Sequence, residues 1–507
     1  MFKNLLITKP IEAQPHVDAG EPVEGSLHGE VALKRTLGAK HLVMLGLGAV
    51  IGAGIFVITG TAAANHAGPA IMLSFVIAAF ACAMAGLCYA EFAAMIPASG
   101  SAYSYTYATL GEALAWFVGW SLVLEYLFAA STVAVGWSGY TVSFLESFGV
   151  HLPAALTQAP IDFCTHEDAS AGLCEFGSFV TTGALFNLPA VLIVGAVGAL
   201  CYVGIRQSAS VNAIVVSIKV LVILLLIAFG AFYVNAENWL PFIPENQGGD
   251  RFGWEGVLRG ASIVFFAYIG FDAVSTAAQE VKNPQRDMPI GILGSLALCT
   301  LLYIAVAAIL TGLVPYTALG TAKPVATALE MYPSLAWLKT FVELGAIAGL
   351  TTVILVMLMG QPRIFYSMAK DGLLPKFFAA VHAKFQTPHK GTVLVAIVAA
   401  IMAGVLPIQL LGDVVSMGTL VAFATVCFGV MVLRRTQPNL HRPFRVPAVY
   451  VVGSLGVAAC LGLVAIMPML NWIVLVCWTL IGFAIYFSYG YKRSKLRLAG
   501  RTSRDVG

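Results

Sequence analysis

The sequence predicts an all-α integral membrane protein of twelve transmembrane helices, arranged as two inverted five-helix units followed by two C-terminal helices. Of its 507 residues, 59% are hydrophobic and only 10% charged, where a soluble domain carries about 25% charge. Twelve stretches are apolar over the roughly 20 residues that a spanning helix needs. Two of them, the first and the sixth, are interrupted where an anchor helix would be continuous. They lie five spans apart, the offset of a duplicated five-helix unit, and because five is odd the second copy is inverted.

In order, the spans cover residues 41–62, 69–95, 112–145, 187–205, 210–234, 256–279, 289–314, 340–368, 391–406, 411–433, 448–467 and 470–490. Residues 1–40 are polar, include Pro10, Pro15 and Pro22, and read as a cytoplasmic tail with no cleavable signal peptide. The first repeat occupies 41–234, the second 256–433 and the supporting pair 448–490, and a basic cytoplasmic tail fills 491–507. Lys34, Arg35 and Lys40, the alternate loops with Arg206, Lys282, Arg286, Lys370 and Arg434, and the tail with Lys492, Arg493 and Arg497 all fall on one side. The other side carries only Arg251, Arg259, Lys323 and Lys339. This asymmetry places both termini in the cytoplasm of a bacterial-type inner (plasma) membrane. The third span is long enough to be strongly tilted. Residues 97–105 before it read as a short interfacial helix, and 315–339 as an outer connection with a helix between Pro324 and Pro333. Seven of the nine cysteines lie inside apolar spans and read as small core residues. Cys164 and Cys174 share a long polar loop on the outer face and are expected to form a disulfide.

The first span contains Gly46-Leu47-Gly48-Ala49-Val50-Ile51-Gly52-Ala53-Gly54-Ile55-Phe56, apolar enough for a bilayer and too rich in glycine for one unbroken helix. Each interior glycine costs about 0.8–1.0 kcal/mol relative to alanine, and opened backbone at membrane depth must face a cavity. A break near Gly52-Ala53-Gly54 bares amides at the start of the second half, near Ile55, and carbonyls at the end of the first. One end attracts a carboxylate and the other an ammonium, the two charges that every α-amino acid carries. The sixth span repeats the anomaly in Phe265-Phe266-Ala267-Tyr268-Ile269-Gly270-Phe271-Asp272. Asp272 is expected to cap its second half.

Several motifs together resemble the amino acid–polyamine–organocation transporters, in particular their bacterial cationic amino acid transporter branch. They are Gly48 to Phe56, Pro97-Ala98-Ser99-Gly100-Ser101-Ala102-Tyr103, Leu124-Glu125-Tyr126, Gly270-Phe271-Asp272, Glu280-Val281-Lys282-Asn283-Pro284 and Gly360-Gln361-Pro362-Arg363. The resemblance spans about residues 30–490 and implies a leucine-transporter-like fold, with substrate held mid-membrane between helices 1, 3, 6 and 8. It places the substrate carboxylate on the amides of Ala53, Gly54 and Ile55. The ammonium falls on carbonyls of Val50, Ile51, Phe266, Ala267 and Ile269. Phe271 and Tyr268 are candidate gates, and Gly349, Thr351 and Thr352 candidates for the side-chain end of the pocket.

Lys219 is the sharpest single clue, a lysine inside an apolar span, where a basic residue costs about 2.5–3.5 kcal/mol on insertion scales. Burial favours its neutral form, which suits a proton site, and Glu125 is a second titratable candidate. In the family resembled, a lysine here replaces a sodium site and binds first-helix carbonyls near Gly52. These readings lead to a proton-coupled symporter of an L-amino acid, small and neutral such as alanine, or cationic. The alternatives are an amino acid or polyamine exchanger on the same fold and an amino-acid-binding receptor with little transport. No enzyme chemistry is expected, since no Walker A run or Ser/His/Asp arrangement occurs. His41, His66, His151 and His166 lack ligand spacing, so no metal is expected, and a net charge of +3 gives no footing for nucleic acid. The expected partners are a small-molecule amino acid and the lipid bilayer, with the proton as coupling ion and no cofactor. An accessory subunit leaves no signature in the sequence.

Overall fold

The structure is a computed structural model that describes residues 6–10, 37–96, 101–163, 178–204, 209–248, 250–276, 281–385 and 387–498. Among these residues, eight helical stretches are long and apolar enough to cross a membrane: Gly54–Met95, Glu112–Ser147, Ala213–Tyr233, Gly253–Ser275, Pro284–Leu313, Pro333–Lys370, Ile408–Thr436 and Met469–Leu498. Four shorter apolar helices, Ala39–Val50, Leu188–Val203, His389–Val405 and Val449–Ala465, accompany them.

The chain opens with α1 (Ala39–Val50), then α2 (54–67) and α3 (Ile71–Met95). The turn between α2 and α3 is made by Gly68, at φ +59, and Pro69. α4 (Ser101–Thr109) is the short helix read from the small and aromatic residues after Pro97. α5 (Glu112–Ser147) is 36 residues long and carries a π turn at Leu124–Phe128. After a small hairpin of β1 (Ile161–Phe163) and β2 (Phe179–Thr181), with Asp162 opposite Val180, come α6 (Leu188–Val203) and α7 (Ala209–Gly230).

The second half begins with α8 (Gly253–Val264) and the single turn α9 (Ala273–Thr276), followed by α10 (Pro284–Leu313). α11 (Pro324–Glu330) is the helix in the long connection before α12 (Ala336–Lys370). α13 (His389–Val405), α14 (Ile408–Thr436), α15 (Val449–Ala465) and α16 (Met469–Ile485) complete the chain. α1 and α3 pack on α10, α5 on α12, α6 on α13 and α14 on α15. This layout puts the two interrupted helices in the middle of the bundle, where α1 to α3, α8 and α10 meet α5 and α12. Six of the span cysteines are buried, but Cys477 is exposed on α16, many of whose apolar residues are exposed too.

Candidate functional site

α1 stops because Ile51 turns extended, at φ −72 and ψ 101, and Gly52 follows it. The break therefore falls at the leading edge of the predicted Gly52-Ala53-Gly54, and a π turn over Gly54–Ile58 starts the second half one residue before Ile55. α8 ends at Val264, passes through a tight turn over Phe265–Tyr268, is extended at Ile269 and reverses at Gly270, whose φ is +118. The two breaks interlock. A Cβ on Gly54 would stand 2.2 Å from the Ala267 Cα, and one on Gly270 would stand 2.9 Å from the Ala49 carbonyl carbon. Only glycine permits both approaches.

Side chains from distant helices occupy the carbonyls at the breaks. Lys219 of α7 is fully buried and donates to the carbonyls of Gly48 at 2.9 Å and Ile51 at 3.0 Å. Gly349 of α12 makes room for it, since a Cβ there would stand 3.0 Å from the Lys219 Cε. Tyr303 of α10 donates to the carbonyls of Val50 at 2.8 Å and Ala267 at 3.0 Å, sharing one hydroxyl hydrogen between the two breaks. Thus Val50, Ile51 and Ala267, nominated for the substrate ammonium, already accept bonds here. The Phe266 carbonyl accepts the Ile269 amide at 3.2 Å. The sequence reading did not single out Tyr303. Its one signal is a tyrosine in the middle of a span, where aromatic belts would place it at an end.

Between the breaks lies a cavity of about 10 Å³, room for a single water molecule. Val50, Ala53, Gly54, Phe266 and Ile269 line it from the breaks, Ala129 and Val133 from α5, and Val353 and Met357 from α12. Its side-chain walls are apolar, and a substrate of amino-acid size enters only if they move apart. Ile55 is buried beside the cavity without lining it.

Among the described residues, several expected pocket groups are not brought to this cavity. Tyr268 donates to the Phe75 carbonyl at 3.0 Å, and Phe271 packs on Tyr89 and Phe423. Thr351 accepts from the Trp137 indole at 3.0 Å, and Thr352 donates to the Gly349 carbonyl at 2.8 Å. The face of α12 turned to the cavity carries Val353 and Met357 instead.

Asp272 straps the second break. Its Oδ1 accepts the Gly270 amide at 3.2 Å and its Oδ2 the Tyr126 hydroxyl at 3.4 Å. Glu125 sits in the π turn of α5, 1% exposed, beside Asp272 and Thr419. The two titratable candidates therefore occupy unlike settings: Lys219 rests on backbone carbonyls, whereas Glu125 neighbours another acid. Cys164 and Cys174 lie outside the described residues.

Contacts join the helices at both ends of the bundle. At the end that the charge pattern assigns to the outside, Arg259 of α8 is 4% exposed and pairs with Asp413 of α14 at 2.5 Å and Asp250 at 3.3 Å. On the same side by that pattern, Lys323 joins Glu146 to Glu330, and Lys339 joins Glu330 to Glu343, fixing α11 against α5 and α12. At the opposite end, Leu37 bridges to Val281, and the Lys282 amide donates to the Leu37 carbonyl at 2.9 Å.

Interrupted helices around a small central cavity, within a bundle of membrane-length helices, define a permease. The chain belongs to the amino acid permease family, whose profile matches residues 37–492. Its relatives include the branched-chain amino acid permease BcaP of Bacillus subtilis, 47% identical over 92% of this chain and 96% of that protein. The methylthioribose transporter of the same organism is 47% identical over 92% of this chain and 95% of its own length. Vacuolar cationic amino acid transporter 4 of Arabidopsis thaliana is 38% identical over 81% of this chain and 65% of that protein. This is a transport protein and not an enzyme.

Proposed function

We propose that this permease is a proton-coupled symporter that imports a neutral, apolar L-amino acid by alternating access. It would work as two inverted five-helix units, with both termini in the cytoplasm of a bacterial plasma membrane. In this reading the substrate carboxylate meets the amides of Ala53, Gly54 and Ile55, and its ammonium the carbonyls of Val50, Ile51, Phe266, Ala267 and Ile269. Tyr303 and Lys219 yield as it enters.

The observation that carries the reading is the Lys219 ammonium on the carbonyls of Gly48 and Ile51, at the point where α1 is open. A protonated lysine holds both carbonyls through charge-assisted bonds, and loss of the proton weakens both and frees α1 to move. Among the described residues no carboxylate forms an ion pair with Lys219, so no fixed counter-charge holds the proton there. The choice of a neutral apolar substrate rests on Val133, Phe266, Val353 and Met357 around the cavity, where a cationic side chain would find no acid.

The test is uptake into liposomes under an inward proton gradient, with leucine, alanine and arginine compared. The wild type should accumulate leucine or alanine against its gradient and leave arginine behind. Lys219→Ala should lose uphill uptake while keeping counterflow. Undiminished accumulation by Lys219→Ala would reject the proton site, and arginine as the preferred substrate would reject the pocket reading.

A further inference from the structure

On the face that the charge pattern assigns to the cytoplasm, several basic side chains are neutralised within the protein. Arg434 and Arg442 share the buried Glu91, Arg497 meets Glu112, and Lys9 meets Asp371. The connection between α12 and α13 is different. From Gly372 to Gly412 the chain contains no aspartate or glutamate, and its three lysines, Lys376, Lys384 and Lys390, are all exposed. Among the described residues none of the three forms an ion pair. Lys390 lies instead over the ring of Phe377, at 5.4 Å, and Lys384 over that of Phe385, at 5.6 Å.

The fold gathers these groups. The turn Lys376–Ala379 presents its two phenylalanines to opposite surroundings. Phe378 packs inward on Phe365 of α12, with ring centroids 4.8 Å apart, and a Cβ on Gly391 of α13 would stand 3.8 Å from its ring. Phe377 is 47% exposed beneath Lys390, and Val381 is exposed too. The rings of Phe385, His382 and His389 form a row, with centroids 4.7 and 5.3 Å apart, that leads from Lys384 back toward Lys390. An exposed ring among unpaired lysines suits the zone where lipid headgroups meet hydrocarbon, since the ring enters the hydrocarbon and the ammonium groups stay with the headgroups. Leu394, Ile397 and Ile401 recur at helical spacing after Lys390 and are exposed. One face of α13 therefore carries a cation at its first turn and an apolar stripe beyond it.

We infer that Lys376, Lys384, Lys390 and Phe377 dock the headgroup of an acidic glycerophospholipid, one of whose acyl chains lies along Leu394, Ile397 and Ile401. Its phosphodiester supplies the negative charge that this stretch of chain lacks. A zwitterionic headgroup brings its own ammonium and gains little from three lysines, whereas each lysine near an anionic surface is worth about fivefold in affinity. Phe378 ties the same turn to α12, whose Val353 and Met357 line the central cavity, so the lipid braces the inner end of a cavity wall. The site depends neither on the coupling ion nor on which amino acid is carried.

The test titrates phosphatidylglycerol, or phosphatidylcholine with the same acyl chains, into the full chain in nonionic detergent and reads the rise in melting temperature. The wild type should respond to phosphatidylglycerol at concentrations at least about tenfold lower. The triple variant Lys376→Gln/Lys384→Gln/Lys390→Gln should lose that preference. A charge-matched control, Lys282→Gln/Arg286→Gln/Arg445→Gln, removes three other exposed cations and should keep it. Equal melting temperatures in phosphatidylcholine check folding, and Lys390→Gln alone, expected to lose about fivefold, serves if the triple variant does not fold. No preference in the wild type, or a preference that the lysine variants keep, would overturn the site. So would an equal loss in the control, which would mean that net charge and not this surface attracts the lipid. Free glycerol phosphate that stabilises as well as phosphatidylglycerol would also overturn it, by showing an anion site with no use for the acyl chain.

Discussion

The two helix breaks face each other across one cavity, yet they are held open by different means. The break in the first helix depends on strangers: Lys219 from α7 takes the carbonyls of Gly48 and Ile51, and Tyr303 from α10 takes that of Val50. The break after α8 also takes outside bonds, from Tyr303 to the Ala267 carbonyl and from Tyr126 to Asp272, but its reversal is made within its own chain. Gly270 supplies a backbone reversal at φ +118, and Asp272 accepts the Gly270 amide two residues away. Local bonds keep a turn in shape wherever the rest of the protein moves. Bonds from other helices last only while those helices stay put, so the first break is the one whose partners can change during a transport cycle.

The comparison is most sharply tested at the glycines. Gly270→Ala combines a backbone conformation that side chains rarely adopt with a contact of 2.9 Å to the Ala49 carbonyl carbon, and should destabilise the protein by about 3 kcal/mol or more. Gly54→Ala lacks the unfavourable φ but would put its Cβ 2.2 Å from the Ala267 Cα, closer than the contact at Gly270, and should also cost about 3 kcal/mol. Thermal unfolding in detergent measures both, and a loss below about 1 kcal/mol at either site would mean that the break there gives way to a side chain. Next comes Tyr303→Phe, which deprives both Val50 and Ala267 carbonyls of their shared donor and should cost about 1–3 kcal/mol. Asp272→Asn should cost only about 1 kcal/mol, because the amide oxygen still accepts from Gly270. A larger loss for Asp272→Asn than for Tyr303→Phe would contradict the division into local and borrowed partners.

The same division explains what the sequence reveals. Gly52, Gly54 and Gly270 announce the breaks through composition, Lys219 stands out as one charge in an apolar run, and Asp272 lies next to the turn it straps. Tyr303, and the pairing of Arg259 with Asp413, are set by partners remote along the chain, and no local pattern betrays them. Thr351 and Thr352 attract notice as small polar residues, but they satisfy Trp137 and their own helix. The rotation of α12 is fixed by packing on α5, and a helix that is apolar over most of its surface carries little periodic signal of which face turns inward. The residues facing the cavity, Val353 and Met357, are therefore legible only once the bundle is assembled.

The weakest expected effect lies outside the membrane, where partners are charged and reached by solvent, and it marks the limit of the comparison. Glu330 at the end of α11 meets Lys339 at 3.0 Å and Lys323 at 3.2 Å. Partial burial works against its ionisation, but the hydrogen bonds and charges of Lys339 and Lys323 outweigh this and hold its carboxyl below the ordinary glutamate value. A carboxylate with a depressed folded pKa contributes stability that is complete above its unfolded value and disappears as pH falls through the folded one. Glu330→Gln should therefore be slightly less stable than the wild type at neutral pH, with the gap closing in acid below about pH 4.3. Its side chain is 39% exposed, so the gap should be small and should shrink in high salt. Melting temperatures of the two proteins across an acid series at low and high salt read this directly. A gap that grows in acid, or one that ignores salt, would show that α11 is held by buried contacts of the kind that govern the first break and not by its surface charges.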